Sequence, residues 1–408
     1  MEALRIPRLH LPDVSGVAFA LLCALIFCVP WEEEVTATQG VAVSHVVGLG
    51  ACVAGLLAAL ISRKIRTFHP LHYLLCVLVL WMAVSYCWSA DPGLTAVKAG
   101  SCMQLLVMVW LIWEFAPSED RQVSLLGAYV LGSYVSALST IYSFVTSTGN
   151  NLGLVEGRYT ASGFDENELG VTLALSLVMS CYLLARHVGW WPIWLFHIPL
   201  CLFAVCLTGS RGAFISSAVA ALIVPLSFRR LSTIRKWSTL LMLLVLVLAA
   251  AFVVPATTWE RIGTIHSEIS EGTLSKRTSI WAAGLDVYRE HPIAGVGAGA
   301  FGPSVFSRLD IPYVAHNSYL SILVELGAVG AILFFALLAS LLWLGILLPG
   351  LEARLWIVLL LTWSVAVLSV TWEHRKPTWF LFGLLIAQSA ALRHPRVVRR
   401  VSRSLAIA

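Results

Sequence analysis

The chain has 408 residues, 59% hydrophobic and 12% charged, with a formal net charge of +5. Soluble domains carry about 25% charged residues. A water-soluble globular fold is therefore excluded, and the mean hydropathy of +0.84 points to an all-α, polytopic membrane protein.

Apolar runs long enough to cross a bilayer predict twelve spans, near residues 14–30, 41–61, 71–88, 101–115, 123–147, 169–185, 192–208, 212–228, 238–255, 317–348, 353–371 and 378–392. The first follows Arg5 and Arg8 without a small-residue cleavage site, so it reads as a retained helix. The fourth is short. The tenth is long enough to contain a turn or a strong tilt. The whole chain, 1–408, reads as one membrane domain, with a polar outward loop at 256–316 between spans nine and ten.

Lys and Arg placement sets the orientation. An even number of spans puts both termini on one side. That side holds Arg63, Lys64, Arg66, Arg121, Arg186, Arg229, Arg230, Arg235, Lys236, Arg354 and the basic tail Arg393–Arg403, and it is expected to be cytoplasmic. The tail reads as a topology and headgroup anchor, not a nucleic-acid arm. All nine cysteines fall in predicted spans, without metal-ligand spacing, and read as small buried hydrophobes. Tryptophans near span ends, including Trp31, Trp88, Trp190, Trp372 and Trp379, read as headgroup-level anchors.

Chemistry gathers in the outward segments. Arg211 stands in the turn Thr208-Gly209-Ser210-Arg211-Gly212. Topology gives a cation no purpose there, and a guanidinium fork fits phosphate oxygens. The competing reading is an arginine snorkelling to headgroups. Arg277 opens an amphipathic helix expected over Ser275–Glu290, where a cation is opposed by the helix dipole unless an anion meets it. Its bland alternative is a solvated loop cation. His316 opens the tenth span and titrates in the range of a general base, although a lone interfacial histidine is also a common structural feature. Asn317 fits a helix cap.

Glu325 lies about 13 Å further along that helix and on the opposite face from His316. It is a functional candidate as an intramembrane carboxylate, or a hydrogen-bond partner for another helix, and it stands nearly alone inside the predicted spans. Arg289, Arg308, Arg375 and Lys376 are secondary cation candidates. The cluster Asp165, Glu166 and Glu168, near Arg158, lacks metal-ligand spacing, and neither metal nor cofactor is expected.

Three stretches together resemble the O-antigen ligase and polymerase superfamily. They are Gly209-Ser210-Arg211-Gly212-Ala213; Arg277 and Trp281 followed by His291-Pro292, Gly295, Gly297 and Phe301; and His316-Asn317-Ser318-Tyr319-Leu320 running to Glu325-Leu326-Gly327. The resemblance is detailed over about residues 155–330 and topological elsewhere. It implies a metal-independent membrane glycosyltransferase of the GT-C type in the bacterial inner membrane, with a periplasmic active site. The implied donor is a glycan on undecaprenyl diphosphate, and the acceptor is a sugar hydroxyl such as that of lipid A–core. The motif match gives Arg211 and Arg277 the diphosphate and His316 the catalytic role. A repeat-unit polymerase acting on a growing glycan is the alternative within the class. A lipid or solute transporter is the alternative outside it, against which stand the lack of related halves and the gathering of charge on one surface.

Overall fold

A computed structural model describes residues 13–34, 43–147, 158–228, 230–265 and 277–405. Arg5, Arg8, Arg229, Lys276, residues 150–157 and the expected helix start at Ser275 lie outside them. Among the described residues the regular structure is helical, with no strand. Among the described residues, ten helices are long and apolar enough to cross a membrane.

The N-terminal half comprises α1 (Val14–Cys28), α2 (Val43–Ser62), α3 (Pro70–Val84), α4 (Pro92–Phe115), α5 (Glu119–Val145), α6 (Glu166–Ala185) and α7 (Trp191–Thr208). Next come α8 (Arg211–Ala220) and α9 (Ile223–Phe228), which together make the eighth span, then α10 (Thr233–Val253). Among its described residues the expected outward loop carries the short helices α11 (Ala256–Gly263), α12 (Arg277–Glu290) and α13 (Phe301–Leu309). The bundle closes with α14 (Ser318–Leu347), α15 (Gly350–Ala366) and α16 (Lys376–Leu405).

Helix α6 forms the spine. It is buried along nearly its whole length and packs against α5, α7, α8, α9 and α15. Ion pairs tie the connectors at each end of the bundle. At one end Lys376 meets Glu32 at 2.7 Å, and Arg375 meets Glu33 at 3.1 Å and Glu168 at 2.7 Å. At the other, Arg186 joins Glu119 and Glu352, and the Arg66 backbone N–H donates to Glu114 at 2.9 Å. The two sets of connectors separate as alternating spans require.

Three expectations change. Helix α4 begins at Pro92, nine residues before the predicted 101, because Asp91 caps it and Pro92 takes its first position. In its first turns the polar side chains of Thr95 and Lys98 are buried, while Leu94 and Val97 are exposed. Two of the expected anchor tryptophans face protein instead of headgroups: Trp372 and Trp379 are buried, and the Trp379 indole donates to the Glu373 carbonyl at 2.8 Å. Not every cysteine is buried either, since Cys76 and Cys87 are exposed.

The tenth span is broken. Gly327 adopts φ 65°, ψ −167° inside α14, a conformation essentially reserved for glycine. Backbone groups freed by such a break must find partners inside a membrane. The glycine-rich stretch after α12 supplies them. Val296 and Gly297 donate their N–H groups to the carbonyls of Val324 and Glu325, at 3.1 and 2.9 Å. Ala328 donates to the Pro292 carbonyl at 2.8 Å, and the Trp81 indole to that of Leu326 at 3.0 Å. A side chain at Gly295 or Gly327 would collide with the opposite strand of this contact. The glycine run is therefore a wedge that completes a split helix.

Candidate functional site

The turn between α7 and α8 follows from its sequence. Gly209 takes the left-handed conformation, φ 57°, which ends α7 cheaply. Ser210 then caps α8, accepting from the Ala213 N–H at 3.2 Å, and Arg211 is the first helical residue. The Ser210 hydroxyl also donates to the Asn167 side-chain carbonyl at 2.6 Å, binding the turn to the start of α6. There Asp165 caps α6, accepting from the N–H groups of Asn167 and Glu168.

Two further arginines grip this turn. Arg158 Nε donates to the Thr208 carbonyl at 3.0 Å, and Arg261 Nε, from α11, to the Gly209 carbonyl at 3.1 Å. Arg158 also pairs with Glu166 at 3.4 Å.

The mouth of α14 is fixed as firmly. Asn317 caps it, accepting from the N–H groups of Tyr319 and Leu320 at 3.0 and 3.2 Å. Ser318 donates its N–H to the Val367 carbonyl and its hydroxyl to the Val370 carbonyl. The connector 367–375 thus holds α14. The same connector places the Ser369 side chain directly against Gly212, so the arginine turn and the histidine helix start share one support. His316 itself sits at φ 45°, a left-handed position that an ordinary side chain reaches at some strain.

Helix α12 brings the second motif. Its buried face, Ile280, Ala283, Gly284 and Val287, packs in a small core with Phe301, Leu320 and Val324. Trp281 donates its indole N–H to the Ala315 carbonyl at 2.9 Å. Arg277 stands one turn before Trp281 on the same face, which turns it toward His316.

Electrostatics tie these pieces together. Burial lowers the His316 pKa from its ordinary value, and the Arg277 charge lowers it further, while Asp165 pulls the other way. Burial likewise lowers Arg277, with Asp165 opposing and Arg211 and Arg158 adding to the shift. Arg277 and Asp165 therefore lie within electrostatic reach of His316, and Arg211, Arg158 and Asp165 within reach of Arg277. A depressed imidazole is neutral at neutral pH and free to accept a proton.

The secondary candidates lie in ion pairs elsewhere. Arg289 pairs with Asp286 on an exposed face, and Arg308 with Glu290 at 2.5 Å. Arg375 and Lys376 belong to the pairs with Glu33, Glu168 and Glu32. Asp165, Glu166 and Glu168 diverge to a helix cap, Arg158 and Arg375.

Glu325 is far from alone. Lys98 Nζ lies 2.7 Å from Glu325 and 2.6 Å from Glu373, and these side chains are 9%, 5% and 0% exposed. Ser321 donates to both carboxylates at 3.1 Å, and the Gly299 N–H donates to Glu325 at 2.7 Å. This knot joins α4, α14, the glycine wedge and the 367–375 connector. Sequence reasoning assigned no role to Lys98 or Glu373. The signal was a lysine in the polar first turns of α4, which the hydropathy window left outside the span. Arg261 carried no distinguishing pattern in the chain.

The sequence model of the O-antigen ligase family matches residues 196–335, from within α7 through Arg211, Arg277 and His316 into α14. The match covers about a third of the chain and supports its assignment to the O-antigen ligase and polymerase superfamily. No curated protein matches it. The match supports a membrane enzyme of the O-antigen ligase or polymerase type, and the apolar helices describe a multi-pass membrane protein.

Proposed function

We propose that the enzyme transfers a glycan from undecaprenyl diphosphate to an acceptor sugar hydroxyl, as on lipid A–core. The observation that supports this reading is a run of neighbouring charges at one end of the bundle, in which Arg277 acts on His316 and Arg211 and Arg158 act on Arg277. The acceptor oxygen attacks the anomeric carbon. The bond from that carbon to the diphosphate oxygen breaks, and its electron pair leaves with the lipid diphosphate. The acceptor's proton passes to the His316 ring. Arg211 and Arg277 hold the diphosphate, whose leaving oxygen gains charge as the bond breaks. Each such preorganised donor is worth about 3–4 kcal/mol in comparable sites. Attack opposite the leaving group inverts the anomeric centre. Retention, seen by NMR of the product linkage, would refute that geometry.

Placement follows from the cations. The bundle end with Arg66, Arg121, Arg186, Arg235 and Arg354 is cytoplasmic by the positive-inside rule, as are both termini. The site then faces the periplasm from the bacterial inner membrane. Deleting the gene tests the reaction: a ligase leaves long glycan on its carrier beside bare lipid A–core, a repeat-unit polymerase leaves single repeats on the core, and unchanged glycolipids would sink both.

A further inference from the structure

A cleft of about 650 Å³ opens between α1, α2 and α4, away from the arginine cluster but at the same end of the bundle. Its floor is apolar and buried, with Leu25, Leu105 and Leu111. Its flank is apolar and exposed, with Leu49 and Val107 on the outer surface of the bundle. Its rim is charged in both signs. Glu32 and Glu33 face Lys376 and Arg375, with His374 beside them.

An apolar trough under a polar rim on the flank of a membrane bundle fits an amphiphile lying parallel to the helices. The rim chooses which one. A diphosphate there would meet two carboxylates at close range, a like-charge contact that is unfavourable. Sugar hydroxyls suit the rim better, because they donate to carboxylates and accept from ammonium and guanidinium groups alike. The connector 367–375 supplies the link to the reaction. Its far end, with the adjoining Lys376, lines the cleft, and its near end holds Gly212 and Ser318.

We infer that this cleft seats the acyl anchor of a lipid-linked sugar acceptor, with the first acceptor sugars on the Glu32/Glu33–Arg375/Lys376 rim. The inference rests on the proposed reaction, which joins two membrane-anchored substrates and therefore needs a second lipid seat. It also favours an acylated saccharolipid over a second polyprenyl diphosphate as acceptor, and hence a ligase over a polymerase.

The test uses the full chain in nanodiscs, an undecaprenyl-diphosphate glycan as donor, and an acylated glucosamine disaccharide as acceptor beside its deacylated form. The wild type is expected to show a KM at least tenfold lower for the acylated acceptor. Val107→Trp, which fills the flank, should erase that preference and leave the donor KM unchanged. Glu33→Gln should raise the KM for both acceptors. Val247→Trp, on the exposed surface of α10, which does not line the cleft, should change nothing. An unaltered acceptor KM in Val107→Trp would overturn the seat while leaving the proposed reaction intact. A second readout does not need turnover: a photoreactive acyl chain on the disaccharide should label α2 and α4 beside Leu49 and Val107. Labelling elsewhere, or equal labelling by a photoreactive phosphatidylethanolamine, would show that the cleft holds no acceptor or only bulk lipid.

Discussion

The molecule keeps charge in two ways. In the knot of Lys98, Glu325 and Glu373, every group is nearly sealed from solvent and each faces its opposite at hydrogen-bond distance. Around His316 the basic groups are partly buried, and several cations gather beside Asp165. The first arrangement ties segments together, because a buried charge without its partner is intolerable. The second keeps a local field that an incoming anion can use. Both lie on the same supports, the α14 helix and the 367–375 connector. A closed charge cluster thus holds an accessible one in place.

The comparison breaks most sharply at Lys98. Lys98→Met strands two buried carboxylates, and removing one partner of a buried pair typically costs about 3–5 kcal/mol. The melting temperature in detergent should fall markedly. His316→Ala should do the reverse, leaving the melt unchanged while lowering glycan transfer by about 10²- to 10⁴-fold. If Lys98→Met melted normally, or His316→Ala kept its activity, the division of roles would collapse.

Arg211→Lys sharpens the second arrangement. A lysine keeps the charge but loses the planar fork. Losing one hydrogen bond to a charged group costs about 1.5–3 kcal/mol, so the donor KM should rise about tenfold or more, with the melt unmoved. Unaltered donor kinetics would remove bidentate binding from the account.

The pH profile is subtler. His316 is depressed in the folded enzyme, so the acidic limb of kcat/KM should lie below the ordinary histidine value of about 6.5. Arg277 contributes to that depression, so Arg277→Gln should move the limb to higher pH. Asp165 opposes it, and Asp165→Asn, which keeps a capping side chain, should move the limb to lower pH. Shifts in the same direction for both variants would exclude His316 as the titrating base. The smallest effect is at Trp281, where Phe removes one hydrogen bond to Ala315 at a cost of about 1 kcal/mol. A calorimetric or denaturant melt reads it.

Much of this was legible in the chain. Long apolar runs gave the helices and their order, because a membrane leaves little choice of backbone. The turn at Gly209 and the cap at Asn317 were readable because each is a local rule in consecutive residues. Arg277 was readable as a cation at an unfavourable helix end. The knot was not, because Lys98, Glu325 and Glu373 are joined only by packing across three distant segments. The length of the tenth span allowed a turn, but its place at Gly327 was not readable. Leu-Gly-Ala within an apolar run looks like ordinary span, and only the arrival of residues 292–297 makes a split affordable. Arg158 was visible as a charge, but its grip on the Thr208 carbonyl depends on how α6 and α7 end together.

The split at Gly327 is clamped on both sides by one loop. Val324 and Glu325 accept from the N–H groups of Val296 and Gly297, and Ala328 and Val329 donate to the carbonyls of Pro292 and Ile293. The His316 stub and the bilayer-spanning wall are therefore joined through the outer polypeptide as well as through the glycine. A tilt of the lipid-facing half, as the membrane thins or thickens around it, is passed to residues 292–297 as directly as to the imidazole.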